Sequence, residues 1–331
     1  MTRDVAIDLG TANTLAYVAG RGIRLNQPTV IAIDERTGNI LAMGDEAYAM
    51  IGRTPSNIVA VRPLRGGAIS DFETTARLLR IVLRRAGVGR FSRPNVVICV
   101  PSAITQVERN AAREATVQAG ARAAYLIEEP MAAAIGAELP VQEPAGSMIV
   151  DVGGGTTEVA VISLGGIVAS KAIRVAGFDM DAAISHHLRR EYAIVIGERT
   201  AENLKIAIGS AWAQPGEAKA EVKGRELASG LPKTVLVTGD EIRNALDEPV
   251  SQIVQAVVQT LGEAPPELVG DILDKGIFLT GGAGMLRGLD TRIASQAQVA
   301  VHRTDTPLEC VVLGAGVAAE ALDRLAPLFV E

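Results

Sequence analysis

Residues 4–18 read DVAIDLGTANTLAYV, and residues 147–162 read SMIVDVGGGTTEVAVI. Each stretch consists of an apolar run, a turn of small and hydroxyl residues, and a second apolar run, which is the pattern of a β-hairpin. When Asp8 is aligned with Asp151, which lies 143 residues later, the glycine and threonine positions of the two turns also coincide. This internal repeat predicts that the two halves of the chain are related domains.

The composition is that of a large globular protein. The chain has 331 residues, about twice the usual length of one domain, and 48% of them are hydrophobic and 21% charged. Only 3% are aromatic, so we expect an aliphatic core. The 34 glycines cluster in a few short segments, and those segments are where chemistry is expected.

Charge and cysteine content argue against several classes of protein. The net charge of −6 argues against nucleic acid as the main partner, because phosphate contacts need clustered Lys and Arg. The two cysteines, Cys99 and Cys310, lie in apolar contexts and predict neither a disulfide framework nor a metal quartet. No apolar run approaches the roughly 18 to 20 residues of a membrane span, and no signal peptide is recognisable. We therefore expect a cytoplasmic protein.

Strands alternate with helices after the first hairpin. Residues 94–100 predict a strand, and Thr105 with Glu108 forms a capping box that opens a helix ending near Ala119. The next predicted elements are a strand and a short helix, over residues 124–129 and 130–139.

The second half repeats this alternation. Thr238 and Glu241 form a second capping box, which opens a long helix. The other predicted elements are a helix starting near Asp179, a helix from Glu198 to about Ile208, and a strand, glycine-rich turn and helix over residues 276–288.

The last helix is predicted to have Thr306 as its cap, Pro307 at its first position and Glu309 at its third, and to end the chain. Short strand and turn segments near residues 33–65 and 215–240 have the character of insertions. The predicted architecture is α/β, with two similar domains that each carry a small subdomain.

The two hairpin turns are candidate phosphate sites. Turns of small residues expose backbone N–H groups, and oriented amides bind anions. One such turn alone is usually just a hairpin, whereas two homologous turns, each preceded by an aspartate, favour a phosphate site. The residues that offer these amides are Thr11, Ala12 and Asn13 in the first turn and Gly153, Gly154, Gly155 and Thr156 in the second.

The two aspartates suggest a metal. Asp8 and Asp151 at their strand ends would face one another across a cleft and hold a hydrated Mg²⁺, an ion that prefers a few carboxylates together with water and phosphate. The alternative is that each aspartate only caps its own turn.

Other nucleotide motifs do not apply. The P-loop pattern is missing from the sequence. Residues 314–319 match a variant of the Rossmann fingerprint, but too little chain follows them for the rest of that unit. Close helix packing by small residues is the better interpretation of this segment.

Five segments together carry a family resemblance. IDLGTANT, LIEEPMAAAIG, VDVGGGTTEVAVIS, IGERTAENLKIAIG and FLTGGAGMLRGLD occur in this order. They resemble the five nucleotide-site segments of the actin and heat-shock-chaperone ATPase superfamily, and the residues within them are similar to those of the MreB/Mbl family of bacterial actins. The match covers nearly the whole chain.

The resemblance implies a duplicated actin-like ATPase fold, with two domains flanking a nucleotide cleft. The implied divisions are a first core of residues 1–32, 66–140 and 312–331 with a small subdomain of residues 33–65, and a second core of residues 141–177 and 245–311 with a small subdomain of residues 178–244.

The resemblance also assigns roles. The two turns would bind the β- and γ-phosphates of ATP with Mg²⁺, Glu129 would position the attacking water, and Thr156 would assist. Without the resemblance, Glu202 and Lys205 would be interpreted as a surface ion pair. The residues implied at the adenosine are Glu202, Asn203, Leu204 and Lys205 on one helix and Gly281, Gly282, Ala283 and Gly284 in one turn.

The implied function is slow ATP hydrolysis to ADP and phosphate, coupled to self-assembly into filaments. The implied partners are further copies of the chain, the cell-wall elongation machinery and the inner face of the cell membrane. The main alternative is a metabolic kinase for sugars or acids from the same superfamily. An actin-like protein for plasmid segregation or spore-wall assembly is a third possibility. A chaperone is disfavoured, because a substrate-binding domain would be expected after the ATPase.

The sequence departs from the family pattern at Phe178, where a polar residue is usual. We expect a changed local contact there, without effect on the nucleotide.

Some relatives contact membranes through an apolar loop before the strand at residues 94–100. Here that loop reads GVGRFSR, with Phe91 among arginines, which suits weak contact with an anionic bilayer. The alternative is a solvated basic loop.

Overall fold

The architecture comes from a computed structural model, which describes residues 3–65, 68–69, 72–89, 92–216 and 218–330. The elements of the first half are β1 (Val5–Leu9), β2 (Asn13–Val18), β3 (Gly22–Pro28), β4 (Ile31–Asp34), β5 (Ile40–Met43), α1 (Asp45–Met50), β6 (Ile58–Val61), β7 (Leu64–Arg65), β8 (Ala68–Ile69), α2 (Phe72–Arg85), β9 (Asn95–Val100), α3 (Gln106–Ala119), β10 (Ala123–Glu128) and α4 (Glu129–Gly136).

The elements of the second half are β11 (Ser147–Val152), β12 (Thr157–Ser163), β13 (Gly166–Ile173), α5 (Gly177–Tyr192), β14 (Ile194–Val195), α6 (Glu198–Ile208), β15 (Lys219–Glu226), β16 (Pro232–Thr238), α7 (Gly239–Glu263), α8 (Pro266–Lys275), β17 (Ile277–Thr280), α9 (Leu289–Ala297), β18 (Val301–Arg303) and α10 (Cys310–Glu320). Short 3₁₀ helices lie at Ala283–Met285 and Ala326–Leu328.

Two five-stranded sheets of the same topology form the centre of the molecule. The strand order is β3-β2-β1-β9-β10 in one and β13-β12-β11-β17-β18 in the other. In each sheet, three antiparallel strands that are consecutive along the chain are followed by two parallel ones. The two predicted hairpins are therefore confirmed, and the sequence repeat corresponds to a repeated sheet.

Smaller sheets lie where the insertions were expected. Strands β4, β5 and β6 form one three-stranded sheet, beside which α1 packs, and β14, β15 and β16 form another. These two small units belong to different halves of the chain, and α6 packs beside the second of the two sheets. The exact domain bounds given above stay a prediction.

Both predicted capping boxes are present. The Thr105 N–H donates to the Glu108 carboxylate at 2.7 Å, and the Glu108 N–H donates to the Thr105 hydroxyl at 3.3 Å. Thr238 and Glu241 make the same reciprocal pair, at 2.8 and 3.3 Å. These bonds satisfy backbone N–H groups at the starts of α3 and α7, which explains why both helices begin where predicted.

Helices α4 and α10 occupy equivalent places, after the last strand of each sheet, and they pack directly against one another. A Cβ atom on Gly314 would overlap the carbonyl oxygen of Ala132, and one on Gly136 would overlap the carbonyl oxygen of Cys310. The backbones touch because neither glycine has a side chain. The Rossmann-like string at residues 314–319 is thus a helix-packing segment, as predicted.

The end of the chain differs from the prediction. Helix α10 begins at Cys310 rather than Pro307, and beyond it Val330 forms a bridge to Leu126 of β10. The segment before α10 is a turn, because the Pro307 carbonyl accepts hydrogen bonds from the Gly281 N–H at 3.0 Å and the Thr280 hydroxyl at 3.2 Å. Those bonds hold Pro307 at the end of β17.

The glycine-rich segment at residues 276–288 also differs in detail. Strand β17 is followed by the 3₁₀ helix Ala283–Met285, and α9 begins only after Gly288. Gly281 has a φ of +87°, and a Cβ atom there would overlap Asp151 Oδ1 on β11. The tight turn at Gly281 therefore uses the conformational freedom and small size of glycine.

Among the helices of the described part of the chain, none is both long and apolar enough to cross a membrane.

Candidate functional site

A cavity of about 480 Å³ lies between the turns of the two repeated hairpins. Its wall includes most of the residues that the sequence singled out. These are Asp8, Thr11, Ala12, Asn13, Glu129, Asp151, Gly153, Gly154, Gly155, Thr156, Glu202, Lys205, Gly281, Gly282 and Ala283.

The two turns approach each other closely enough that only glycine fits on one side. A Cβ atom on Gly154 would lie 2.5 Å from the Cβ of Ala12, and one on Gly155 would lie 2.9 Å from the Cγ2 of Thr11. Both turns therefore face one small volume with little side-chain bulk between them. Exposed backbone amides in such turns suit the binding of an anion that spans both.

Equivalent threonines brace the two hairpins. The hydroxyls of Thr14 and Thr29 lie 2.8 Å apart, and the Thr29 hydroxyl donates to the Gly10 carbonyl at 2.7 Å. In the second hairpin the Thr157 hydroxyl donates to the Val175 carbonyl at 2.7 Å. Thr14 and Thr157 are partners in the sequence repeat, and both are buried, so each turn is fixed to the segment that follows its hairpin.

Buried acids surround the cavity. Burial raises the pKa of Asp151 to about 6, and burial together with the charge of Asp151 raises the pKa of Asp8 to about 7. The pKa of Glu129 is well above its usual range because it is buried and lies near Glu158, Asp8 and Asp151. Each of these groups is costly to ionise without a counter-charge.

The acids fit a hydrated magnesium ion. Asp8 and Asp151 repel each other, and a divalent cation between them would relieve this repulsion. Within the described ranges no cluster of three or more His, Cys, Asp or Glu side chains could hold a metal directly. Two carboxylates that act through water, together with phosphate oxygens, are the environment that Mg²⁺ prefers.

Glu129 opens α4, directly after β10, with Pro130 behind it at a favoured early position of the helix. Its neighbour Glu128 turns away and pairs with Arg109 at 3.3 Å. Alternation along the strand end thus sends one carboxyl into the cavity wall and the other to an ion pair.

Helix α6 forms another part of the cavity wall. Lys205 lies 2.9 Å from Asp181 Oδ1 on α5 and donates to the Gly177 carbonyl at 2.9 Å. Glu202 lies one turn earlier on the same face and also lines the cavity. The two do not form the simple surface ion pair considered above, since Lys205 is paired with a buried aspartate instead.

A comparison with protein-family models finds the description MreB/Mbl protein, matched over residues 2–327. This chain belongs to the MreB/Mbl family. It is 47% identical over 324 residues to the cell shape-determining protein Mbl of Bacillus subtilis, a match that covers 98% of this chain and 97% of Mbl. It is 49% identical over 328 residues to the cell shape-determining protein MreB of Escherichia coli, with 97% and 94% covered.

Solved structures of the MreB/Mbl family agree. MreB5 of Spiroplasma citri bound to ADP superimposes with a TM-score of 0.93 at 37% identity, covering 97% of each chain. The same protein bound to AMPPNP gives the same score and identity, with 98% of each chain covered. The actin-like fold and the family's cytoskeletal, cell shape-determining function, both predicted from the motifs, are confirmed.

Three of the residues implied by the MreB/Mbl resemblance are not in the cavity wall. Asn203 is exposed on another face of α6, whereas Leu204 is buried in the core of the second half. Gly284 faces Leu279 of β17, 3.4 Å from the position of its Cβ. A helix with 3.6 residues per turn cannot direct four consecutive side chains to one site.

The sequence missed several wall residues of this MreB/Mbl protein. The cavity wall also includes the apolar side chains of Ile206, Met285, Leu286, Pro307, Leu308 and Val311. Apolar residues give no sequence signal of a site. Phe178 also lines the cavity, and the expectation that it leaves the nucleotide unaffected stays a prediction.

Glu158 is a further buried acid that was not predicted. Ser102 donates a hydrogen bond to its Oε2, and its Oε1 has no partner in the described part of the chain. Burial raises the pKa of Glu158 to about 7. In the sequence, the indication of this buried acid was a glutamate in β12, a strand whose other residues are mostly apolar.

The proposed membrane loop falls partly outside the described residues, since these exclude Arg90 and Phe91. Of the arginines near it, Arg85 turns toward the protein, where its guanidinium donates to the Gln27 side chain at 2.7 Å. Arg85 is therefore engaged within the fold.

Asp8→Asn is expected to stabilise the nucleotide-free protein. The pKa of Asp8 rises from 3.8 to about 7 in the folded state, so its ionisation costs folding free energy as pH rises through this range, and the full cost persists above it. Asparagine removes this cost. In magnesium-free thermal melts, we expect the variant to exceed the parent by several degrees at about pH 8, with a smaller difference at about pH 5. An unchanged or lower midpoint at the higher pH would contradict this account of Asp8.

Proposed function

We propose that this protein is an actin-like ATPase that binds ATP with Mg²⁺ in the cavity and assembles into filaments at the inner face of the cell membrane, where they direct cell-wall synthesis and cell shape. The observation that carries the proposal is the convergence of both repeated turns, Asp8, Asp151 and Glu129 on one cavity. The nucleotides in the MreB5 structures support it. The family membership removes the metabolic kinase alternative.

The cavity wall offers both polar and apolar groups to a nucleotide. Amides of the two turns and the hydroxyls of Thr11 and Thr156 suit the phosphates, since oriented N–H groups bind anions. Elsewhere in the wall, Glu202 can accept hydrogen bonds from sugar hydroxyls, and apolar side chains such as Leu308 can pack on a purine ring. The wall thus offers polar groups for the phosphates and sugar and apolar groups for the base.

Hydrolysis requires positioning more than covalent chemistry. Asp8 and Asp151 would hold Mg²⁺ through water, and the ion would supply charge stabilisation at the phosphates. The carboxyl of Glu129 orients the attacking water and accepts its proton, and the Thr156 hydroxyl provides a second hydrogen-bond partner. Because burial and nearby acids raise the pKa of Glu129 well above its usual range, its role as proton acceptor requires a counter-charge in the cavity to keep the carboxylate ionised.

Self-assembly would affect ATP hydrolysis by closing the cleft between the two domains. Filament contacts that favour the closed arrangement of the two domains bring Glu129 and Thr156 into working geometry, which couples polymerisation to hydrolysis. The two domains of this proposal have the bounds that were predicted from the sequence. The cell-wall machinery and the anionic membrane surface are the further partners of this proposal, with the Phe91 loop as the candidate membrane contact.

Sedimentation tests the proposal directly. With ATP and Mg²⁺ the protein is expected to pellet and to release phosphate slowly, whereas Asp151→Ala should lose both activities because a metal-holding carboxylate is gone. Asp323→Ala, at an exposed position outside the cavity, is the matched control. Absence of ATP-dependent pelleting by the parent would refute the filament claim, and microscopy of the ATP-bound protein on anionic liposomes tests the membrane claim.

A further inference from the structure

Tyr48 connects one small unit of the molecule to the other. It lies on α1, beside the sheet of β4, β5 and β6, and its hydroxyl donates to Glu202 Oε2 on α6 at 2.6 Å. The guanidinium of Arg199, also on α6, lies 4.8 Å from the centre of the Tyr48 ring. The tyrosine is thus held by two residues of the same facing helix.

A second contact joins the same two sides of the molecule. The guanidinium of Arg62, which follows β6, lies 4.3 Å from the centre of the Phe178 ring at the start of α5. Phe178 lines the cavity, as does Glu202. Both contacts exist only when the two sides are close together, so they mark a closed state of the cleft.

The Glu202 carboxylate has one oxygen engaged and one available. Oε2 accepts from Tyr48, while no other residue of the described ranges donates to this carboxylate. A hydrogen bond to an ionised carboxylate is short and directional, so it fixes the rotation of the group. The pKa of Tyr48 is raised by burial and by its bond to Glu202, so the tyrosine keeps the proton that it donates.

We propose that Tyr48 is a positioning residue of the nucleotide site, which orients the Glu202 carboxylate toward the ribose hydroxyls from across the closed cleft. This inference rests on the proposed function, because it requires a ribonucleotide in the cavity. Without Tyr48 the carboxylate can rotate freely and binds the ribose less well. Ribose recognition then depends on closure, and a bound ribonucleotide stabilises the closed state in return.

The test compares two nucleotides on matched tyrosine variants. Tyr48→Phe keeps the ring and its contact with Arg199 but loses the hydroxyl. Tyr17→Phe is the control, since it loses a similar bond to Glu320, at 3.0 Å, outside the cavity wall. Affinities for ATP and for 2′,3′-dideoxy-ATP, which lacks the ribose hydroxyls, are measured by calorimetry with Mg²⁺.

We expect Tyr48→Phe to bind ATP about 5- to 10-fold more weakly than the parent, and to bind the dideoxy analogue within about 2-fold of the parent. Tyr17→Phe should match the parent for both nucleotides. In a Glu202→Ala background, Tyr48→Phe should cause no further loss, because there is no carboxylate left to orient.

Two results would overturn the inference while leaving the proposed function standing. One is unchanged ATP affinity in Tyr48→Phe, and the other is an equal loss for ATP and the dideoxy analogue, which would indicate a structural role. A parent protein that binds neither nucleotide would overturn the proposed function, and this inference with it.

Discussion

Gly314→Ala is expected to lower the free energy of unfolding by at least about 2 kcal/mol. The added methyl group would overlap the Ala132 carbonyl oxygen and approach the backbone nitrogen of Gly136. Backbone atoms cannot move aside by changing rotamer, so α4 and α10 must separate. The gain of about 1 kcal/mol in helix propensity from glycine to alanine offsets only part of this cost. Chemical denaturation followed by circular dichroism measures the change.

Gly270→Ala is the matched control. Gly270 lies within α8, and a Cβ atom there would have no neighbour within 4 Å. The same substitution should therefore raise stability by up to about 1 kcal/mol. If Gly314→Ala and Gly270→Ala shifted stability in the same direction and by similar amounts, the close backbone packing of α4 on α10 would be wrong.

The contact between α4 and α10 matters for the site as well as for stability. Helix α4 starts with Glu129, and the turn before α10 places Pro307 and Leu308 in the cavity wall. The two helices are equivalent elements of the repeat, so duplication brings the Glu129 carboxyl and an apolar part of the wall to the contact between α4 and α10. Small residues at this contact allow α4 and α10 to pack closely, which keeps both halves of the chain next to the cavity.

The sequence predicted best those features that depend on local chemistry. The Thr105 and Thr238 capping boxes fixed two helix starts, because these bonds form between residues three apart. The repeated hairpins were predicted from apolar runs and turn residues in the same way. The aspartates ahead of the two turns could then be placed at one cleft, because repeated sequence implies repeated structure.

Features that depend on distant partners were not predictable. Nothing near Tyr48 in the sequence indicates that it meets Glu202, 154 residues away. Spacing alone would pair Lys205 with Glu202 on the same helix, whereas in the fold Lys205 pairs with Asp181. Pro307 has the signature of a helix start, yet its carbonyl is used by the end of β17. In each case tertiary contacts decided between local possibilities of similar free energy.

Glu129→Gln is expected to slow ATP hydrolysis by about 100-fold or more while leaving ATP affinity within about 2-fold of the parent. Glutamine keeps the size and polarity of the side chain but cannot accept a proton from water. Loss of fold is not the explanation to expect, since removing a buried carboxyl that Glu158 and Asp8 repel should not destabilise the protein. Phosphate release at saturating ATP measures the rate, and titration with AMPPNP measures binding.

Glu128→Gln provides the control one residue away. Its carboxyl pairs with Arg109 and does not line the cavity, so its substitution should change hydrolysis by less than about 3-fold even though the same chemical group is lost. Equal rates in Glu129→Gln and the parent would remove Glu129 from the reaction. Equal losses in the two variants would indicate that the charge of this helix start matters, rather than the position of one carboxyl against the attacking water.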